Sequence, residues 1–376
     1  MRFKDKQVRL LSEVPGPTFA QRGFIDGTGF NLPTLRAFRF PEKNITAFDN
    51  KESAVPLVLV VNLIGPCNLR CAYCLSHYAT RSAYTSFSSE SLGLDTPLRP
   101  LERNDFEEIF RQYGRLGGST ILLSSTGEPF LDFKFVAKLA KLASENGLQL
   151  AVFTNGTMFD QTTAQLAHEL GINLLFKLDA GIPELNDLAL GSKGRYEYVK
   201  FNGLYVPSQL VTVLKEYGRD MDMVAACTSI TTLNYDYVLP LREWALKLGI
   251  PQFLKHIYPV GAAENRPDLF PTQGDIIAIH ERILELDEKY GLTHPSQIPE
   301  KYHYDMRRAM GAILNNQGFP LRIDIDCRGG AMIVTDVIQS QIGKLPLIRL
   351  LDAKDQVDLE AYFKQADEHI RRVLTH

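Results

Sequence analysis

The sequence predicts an α/β fold organised around a parallel sheet. Six short apolar, β-branched runs punctuate the middle of the 376-residue chain. Amphipathic stretches lie between them, several closed by a glycine, the residue that takes the left-handed conformation past a helix end. Many of the strand–helix units repeat at about 30 residues, the length of a right-handed crossover between parallel strands.

Taken in order, Met1 to about Ser53 has no clear periodicity and is rich in turn signals, "PGP", "DGTG", "NLP" and "FPEKN". Residues 1–53 are therefore read as an N-terminal extension packed on the main domain. From Val55 the pattern changes. "PLVLVVNLI" is a buried strand, and five more follow: Ser119–Ser125, Leu148–Thr154, Asn173–Asp179, Met221–Ile230 and Pro251–Val260. A helix ending near Gly117 is expected to start on a capping box of Asn104 with Glu107. "DFKFVAKLAKLASENG", "DQTTAQLAHELG" and "NYDYVLPLREWALKLG" supply further helices. The main domain is read as residues 54–263. Beyond it, 264–376 is expected to hold helices near Gln273–Tyr290 and Tyr304–Asn316, a short β region and a last helix, Leu359–Leu374. The segment Leu75–Pro100, long, polar and dotted with Tyr78, Tyr84 and Phe87, reads as a lid or substrate-binding loop, or as a poorly ordered one.

Composition narrows the function. With 41 Lys+Arg against 44 Asp+Glu, nothing drives non-specific binding to nucleic acid or membrane. The charged N-terminus lacks a signal-peptide core, and the longest apolar run, Val55–Ile64, is too short to span a bilayer. A cytoplasmic protein is expected. Of five cysteines, three are clustered, which points to a metal site rather than a disulfide scaffold.

Those three are Cys67, Cys71 and Cys74, in "CNLRCAYC". In a parallel α/β sheet, ligands bind at the C-terminal ends of the strands, and the triplet follows the first strand. Three thiolates on one short loop suit a four-iron cubane with one iron left without a protein ligand. The alternatives are zinc, with His77, Cys227 or Cys327 as fourth ligand, and buried free thiols.

"CNLRCAYC" after a hydrophobic strand resembles the signature of the radical S-adenosylmethionine (SAM) superfamily, with Tyr73 in its aromatic position. The resemblance implies a partial (β/α)6 TIM-like barrel and a [4Fe–4S] cluster whose open iron binds the amino and carboxylate groups of SAM. It implies reductive cleavage of SAM to a 5′-deoxyadenosyl radical that takes hydrogen from a substrate, and an electron donor such as flavodoxin or ferredoxin. "STGEP" follows the second strand and is similar to the Gly-Gly-Glu-Pro motif that holds the SAM amino group. Thr126 replaces the first glycine; Gly127, Glu128 and Pro129 match. "TNGT" follows the third strand, placing Asn155 among the cofactor contacts. The fourth strand ends "KLDAG", where Lys177 stands in place of a serine that reaches the SAM ribose in relatives; Lys177 is assigned instead to the SAM carboxylate or an anionic substrate. Asp179 is a substrate-side candidate, or caps the next helix. "YPVGAA" after the sixth strand resembles a turn that meets adenine.

The segment "IDIDCRGGAMIVTDV" is similar to the start of a SPASM or twitch extension. Only Cys327 falls there, so a degenerate, α+β extension without an auxiliary cluster is inferred. Cys327 and Cys227 are candidate hydrogen-atom donors, or small buried hydrophobes. Lys255, His256 and Tyr258 are rim candidates, with a structural role preferred for His256. The expected activity is a radical SAM enzyme acting on a small biosynthetic metabolite (a sugar, nucleoside or amino-acid derivative) by epimerisation, elimination, dehydration or rearrangement. The alternatives are a maturase of a ribosomally made peptide, an RNA-modifying enzyme, and a non-catalytic iron–sulfur binding protein.

Overall fold

The computed structural model describes residues 34–40, 55, 57–63, 65–74, 102–125, 127–257, 261–292, 323–325, 330–333, 348–349, 356–361 and 363–364. The strands run β1 (Val58–Leu63), β2 (Thr120–Ser125), β3 (Gln149–Thr154), β4 (Ile172–Lys177), a hairpin of β5 (Tyr198–Phe201) and β6 (Leu204–Pro207), then β7 (Val224–Ile230) and β8 (Gln252–His256). Six of them pair in parallel in the order β1-β2-β3-β4-β7-β8. Spatial order follows chain order, so the sheet curls into a half-barrel with its helices outside. These are α1 (Arg103–Arg115), α2 (Phe133–Glu145), α3 (Gln161–Glu169), α4 (Pro183–Leu190), α5 (Ser208–Tyr217), α6 (Val238–Leu248) and α7 (Gln273–Lys289). The expected fold is therefore found, with strand ends displaced by a few residues; Met221–Met223, for example, wind a 3-10 turn before β7.

Alternation along the strands sorts the two faces. Leu59, Val61, Ile121, Leu123, Val152, Leu174 and Phe176 join the helix side chains Phe110, Val136, Leu139 and Leu210 in the outer core. Val58, Val60, Leu122, Ala151, Leu175, Cys227 and Phe253 form the inner face. That face is plugged by Leu35, Ala37, Phe38 and Phe40, all buried; removing each larger side chain from water contributes about 1.5–3 kcal/mol. The plug is fastened to the starts of β2 and β4. Ala37 N–H donates to Asn173 Oδ1 at 3.1 Å, and the Thr120 hydroxyl donates to the Ala37 carbonyl. Arg36 bridges Asp220 and Asp222, each at 2.6 Å. A stretch with no periodicity thus closes the N-terminal end of the half-barrel and leaves the C-terminal end for chemistry.

Two local expectations need correction. The capping box of α1 is not Asn104 with Glu107. The Asp105 carboxylate reaches back to the Glu102 N–H at 2.7 Å, while Glu107 pairs with Arg111 and Lys138. The β5–β6 hairpin was not anticipated, although its Asn202–Gly203 turn, with φ of 48° and 92°, is a strong hairpin signal.

The expected β region after the barrel lies on the free edge of β1. There β9 (Ile323–Ile325) pairs in parallel with β1, and β10 (Gly330–Ile333) and β11 (Ile348–Arg349) add antiparallel. Leu359 and Phe363, helical where described, are buried. The Gln112 side chain holds that segment through Val357 O at 2.6 Å and Leu359 N–H at 2.8 Å. The helix expected at Tyr304–Asn316 and the Leu75–Pro100 loop lie outside the described residues.

Candidate active site

The cysteine loop leaves β1 at the C-terminal rim and has no regular structure of its own, so its neighbours must shape it. Three do so through its backbone. Glu128 N–H donates to the Pro66 carbonyl at 2.9 Å. Beside it Gly127 packs so closely that a Cβ there would stand 2.2 Å from Pro66 O and 2.3 Å from Gly65 O, a space only glycine fits. At the end of α4 the carbonyls of Ala189 and Leu190 accept from Ala72 N–H at 2.9 Å and Arg70 N–H at 3.3 Å. Ala262 N–H, after β8, donates to the Cys74 carbonyl at 2.9 Å.

The loop after β3 grips the same segment by side chains. Asn155 Nδ2 donates to Asn68 Oδ1 at 2.9 Å and lies 3.9 Å from Cys67 Sγ. Asn68 Nδ2 in turn donates to Thr157 Oγ1 at 2.7 Å. Glu128 does not project to the rim. Its buried carboxylate accepts from Phe130 N–H at 3.1 Å, the Thr154 hydroxyl at 2.7 Å and Asn155 N–H at 2.6 Å. It thereby locks the loops after β2 and β3 together, and burial pushes its pKa up to about 7. Pro129 is buried at the start of the following 3-10 turn. The Tyr196 hydroxyl closes the ring of contacts on the Asn155 carbonyl at 2.6 Å.

The donor set fits a [4Fe–4S] cluster. Three thiols sit on one loop; Cys71 packs against an apolar cluster of Leu69, Tyr73, Leu190, Tyr196 and Ile257, while Cys67 is exposed. Leu69 N–H approaches Cys67 Sγ at 3.5 Å, the contact that steadies a thiolate. Burial pushes the Cys71 thiol up to about 12, so a bound cation must drive its ionisation. Among the described residues no three His, Cys, Asp or Glu side chains form a group able to hold one metal ion; thiolates that hold separate corners of a cube need not converge. Cys227 lies in the inner apolar cluster. His77, Thr126, Tyr258 and Cys327 lie outside the described residues.

Beside the triplet, the inner face turns from apolar to charged. Lys177, the register partner of Cys227 on β7, donates to Asp179 Oδ1 at 2.7 Å and Ser229 Oγ at 2.8 Å. Ser229 N–H donates to the same carboxylate oxygen at 2.8 Å. The Tyr73 hydroxyl donates to Oδ2. Asp179 is wholly buried and caps no helix; α4 begins at Pro183, with Ile182 at its N-cap. Burial works to lower the Lys177 pKa, but the charge and hydrogen bond of Asp179 together with the neighbouring Cys227 and Cys71 outweigh it and raise the pKa. Farther along the rim, Lys255 Nζ stands 3.6 Å from the Phe153 ring centre. His256 instead meets His280 of α7 at 3.2 Å, where burial lowers the His280 pKa to about 4.

Sequence reasoning missed Asn68, Tyr196 and Ser229. Asn68 was legible within the cysteine motif, and Ser229 through its alternation with Cys227. Tyr196 had no signal beyond its place before the hairpin.

A half-barrel that carries C-x3-C-x2-C on the rim after its first strand defines a class. The family model described as "Radical SAM superfamily" matches residues 61–201, so the chain carries a radical SAM domain over that stretch. Its cofactors are accordingly a [4Fe–4S] cluster and SAM.

Among curated proteins, the chain is similar to Fe-coproporphyrin III synthase of Methanosarcina barkeri. The two are 28% identical over 140 residues, 37% of this chain and 31% of that protein. It is also similar to GTP 3′,8-cyclase of Xanthomonas axonopodis pv. citri, 25% identical over 228 residues, 60% of this chain and 61% of that protein. The chain thus spans from about a third to just under two thirds of these relatives. Among solved structures it resembles anSMEcpe with bound AdoMet, with TM-score 0.56, 14% identity, and 83% of each chain covered. It also resembles Streptococcus suis SuiB bound to S-adenosylmethionine, with TM-score 0.52, 14% identity, and 86% of this chain and 67% of that chain covered. At that identity both show the fold. Among the described residues no helix is long and apolar enough to cross a membrane.

Proposed function

We propose that this chain is a radical SAM enzyme that removes a hydrogen atom from a small biosynthetic metabolite, such as a sugar, nucleoside or amino-acid derivative. The observation that carries the reading is the thiol triplet, held on the rim by the loops after β2, β3 and β8. When bound, the cluster and SAM supply a 5′-deoxyadenosyl radical; the protein orients and shields.

The chain's own residues divide that work. Cys67, Cys71 and Cys74 would hold three irons and leave the fourth to SAM. Gly127 lets the backbone after β2 lie against the cysteine loop. Thr126 and the backbone around Gly127 are assigned to the SAM amino group, with Glu128 and Pro129 fixing that turn. Asn155 fixes the loop beside Cys67. Tyr73, Lys177 and Asp179 place a buried, hydrogen-bonded charge pair beside the triplet, suited to the polar groups of a compact molecule. Cys227 and Cys327 are assigned as candidate hydrogen-atom donors to a substrate radical. The strands added beyond β1 belong to a twitch-like extension that helps close the barrel. An external one-electron donor, a flavodoxin or ferredoxin, would reduce the cluster.

The small-molecule reading is supported by the curated relatives, whose names specify a nucleotide substrate and a porphyrin product. A peptide substrate ranks second. One SuiB structure holds a precursor peptide, but at 14% identity that likeness concerns the fold.

The test is anaerobic reconstitution with iron and sulfide, followed by dithionite and SAM. The reading predicts 5′-deoxyadenosine, with label transferred into it from a deuterated substrate. A chain that loads its cluster yet never forms 5′-deoxyadenosine contradicts it.

A further inference from the structure

We propose that the excursion between β4 and β7, which comprises α4, the turn after it and the β5–β6 hairpin, is the docking surface for an acidic one-electron donor protein, with Lys193 and Arg195 as its steering charges. This rests on reading the triplet as a redox cluster.

Position comes first. Residues 189–191 run alongside residues 70–72. Besides the two backbone hydrogen bonds, Gly191, at φ +57°, lies so close that a Cβ would stand 2.3 Å from Arg70 O. The next residue after Arg70 is the cluster ligand Cys71. Lys193 and Arg195 follow Gly191 by two and four residues, so their backbones lie within roughly 15 Å of it. Electron transfer weakens steeply with distance, so a donor seated here is close to the ligand loop.

Charge comes second. The chain as a whole carries −3, yet here the sign reverses. Arg70, Lys193, Arg195 and Lys200 are exposed, against Glu184 and Glu197 as the exposed acids of residues 183–207. Among the described residues none of the four cations has an ion-pair partner. Asp187, the nearby half-buried acid, is occupied by the Ser192 hydroxyl at 2.6 Å and the Tyr198 hydroxyl at 2.7 Å.

Surface character is the third, independent observation. Leu188 is 57% exposed and Tyr205 47% exposed, the two most exposed large hydrophobic side chains among the described residues, and both belong to this excursion. Exposed apolar groups with unpaired charges nearby suit a small, transient electron-transfer encounter. The surface is also preformed, because Tyr196 and Tyr198 pin the turn to Asn155 and Asp187. In the step itself the donor loses one electron and the cluster gains it; no bond or proton changes hands.

The experiment uses the full, iron-loaded chain and its Lys193→Glu/Arg195→Glu variant, neither residue being part of the cofactor site. Bleaching of the cluster is followed by stopped flow with reduced flavodoxin, reduced ferredoxin and dithionite as electron sources. At low ionic strength the variant should be reduced about tenfold more slowly by at least one protein donor, and the difference should vanish at high salt. Reduction by dithionite and iron content should match wild type. Equal rates with both protein donors, or an equal fall with dithionite, would overturn the proposal. A wild-type chain that takes up no cluster overturns both this and the functional reading. One that is reduced but forms no 5′-deoxyadenosine overturns only the latter.

Discussion

Asp179 concentrates the physics of the candidate site, because three donors converge on a carboxylate with no exposed surface. Replacing Lys177 by Met takes away the counter-charge and leaves that carboxylate buried. Breaking a buried pair from one side costs about 3–5 kcal/mol. Asp179→Asn removes the charge but keeps an oxygen for Ser229 N–H, and its amide can donate to Tyr73. Lys177, whose side chain is 17% exposed, then keeps Ser229 Oγ and a path to water, so the cost is about 1–3 kcal/mol. The double variant Lys177→Met/Asp179→Asn carries neither charge and should cost less than the sum by roughly 2 kcal/mol or more. Urea unfolding of the reduced, metal-free protein measures all four corners of this cycle. Additivity within about 0.5 kcal/mol would refute the coupling drawn from the geometry.

The remaining predictions concern neighbouring parts of the site. Gly127→Ala forces a methyl group against the Pro66 and Gly65 carbonyls, at a cost of about 1–3 kcal/mol. Iron retained after anaerobic reconstitution should fall sharply, whereas Gly274→Ala, whose Cβ meets nothing nearer than 3.8 Å, should retain it. Glu128 should make stability depend on pH. Its folded pKa, about 7 against an ordinary 4.5, means the folded state holds the proton longer. Its favourable share is complete below pH 4.5 and is lost as pH rises to 7, roughly 3 kcal/mol in all. Glu128→Gln should flatten that slope in unfolding curves of the metal-free protein. If Cys227 or Cys327 returns a hydrogen atom, its alanine variant should stop label uptake from deuterated buffer; unchanged turnover and uptake in both would dismiss the role.

Strong local signals carried most of the barrel. Strand runs such as Ile121–Leu123 and Leu174–Phe176 are continuous and apolar because both faces are buried, which sets them apart from the amphipathic helices between. The cysteine triplet, Gly127 and Asn155 were legible because their spacing after successive strands fixes them on one rim. The plug at residues 34–40 was not legible. Leu35, Ala37, Phe38 and Phe40 are buried on tertiary demand from the inner face, and a single 3-10 turn has no period to read. Glu128 shows a second limit. The motif gave its place after β2 but not the direction of its carboxylate, which is settled by Thr154 and Asn155 from the next loop. Lys177 stood out as a departure in the motif. Its bond to Asp179 could not be foreseen, since residues two apart on a regular strand share a face but the chain leaves β4 between them.

The central claim is that the protein leaves one iron of a four-iron cluster for SAM. Its most direct test is electron–nuclear double resonance on the reduced, reconstituted protein, using SAM labelled at the amino nitrogen and the carboxylate oxygens. The account predicts strong coupling of both labels to the cluster, lost when the cluster cannot assemble in Cys71→Ala. An intact cluster spectrum that SAM leaves unchanged, or zinc bound at the triplet, would contradict it.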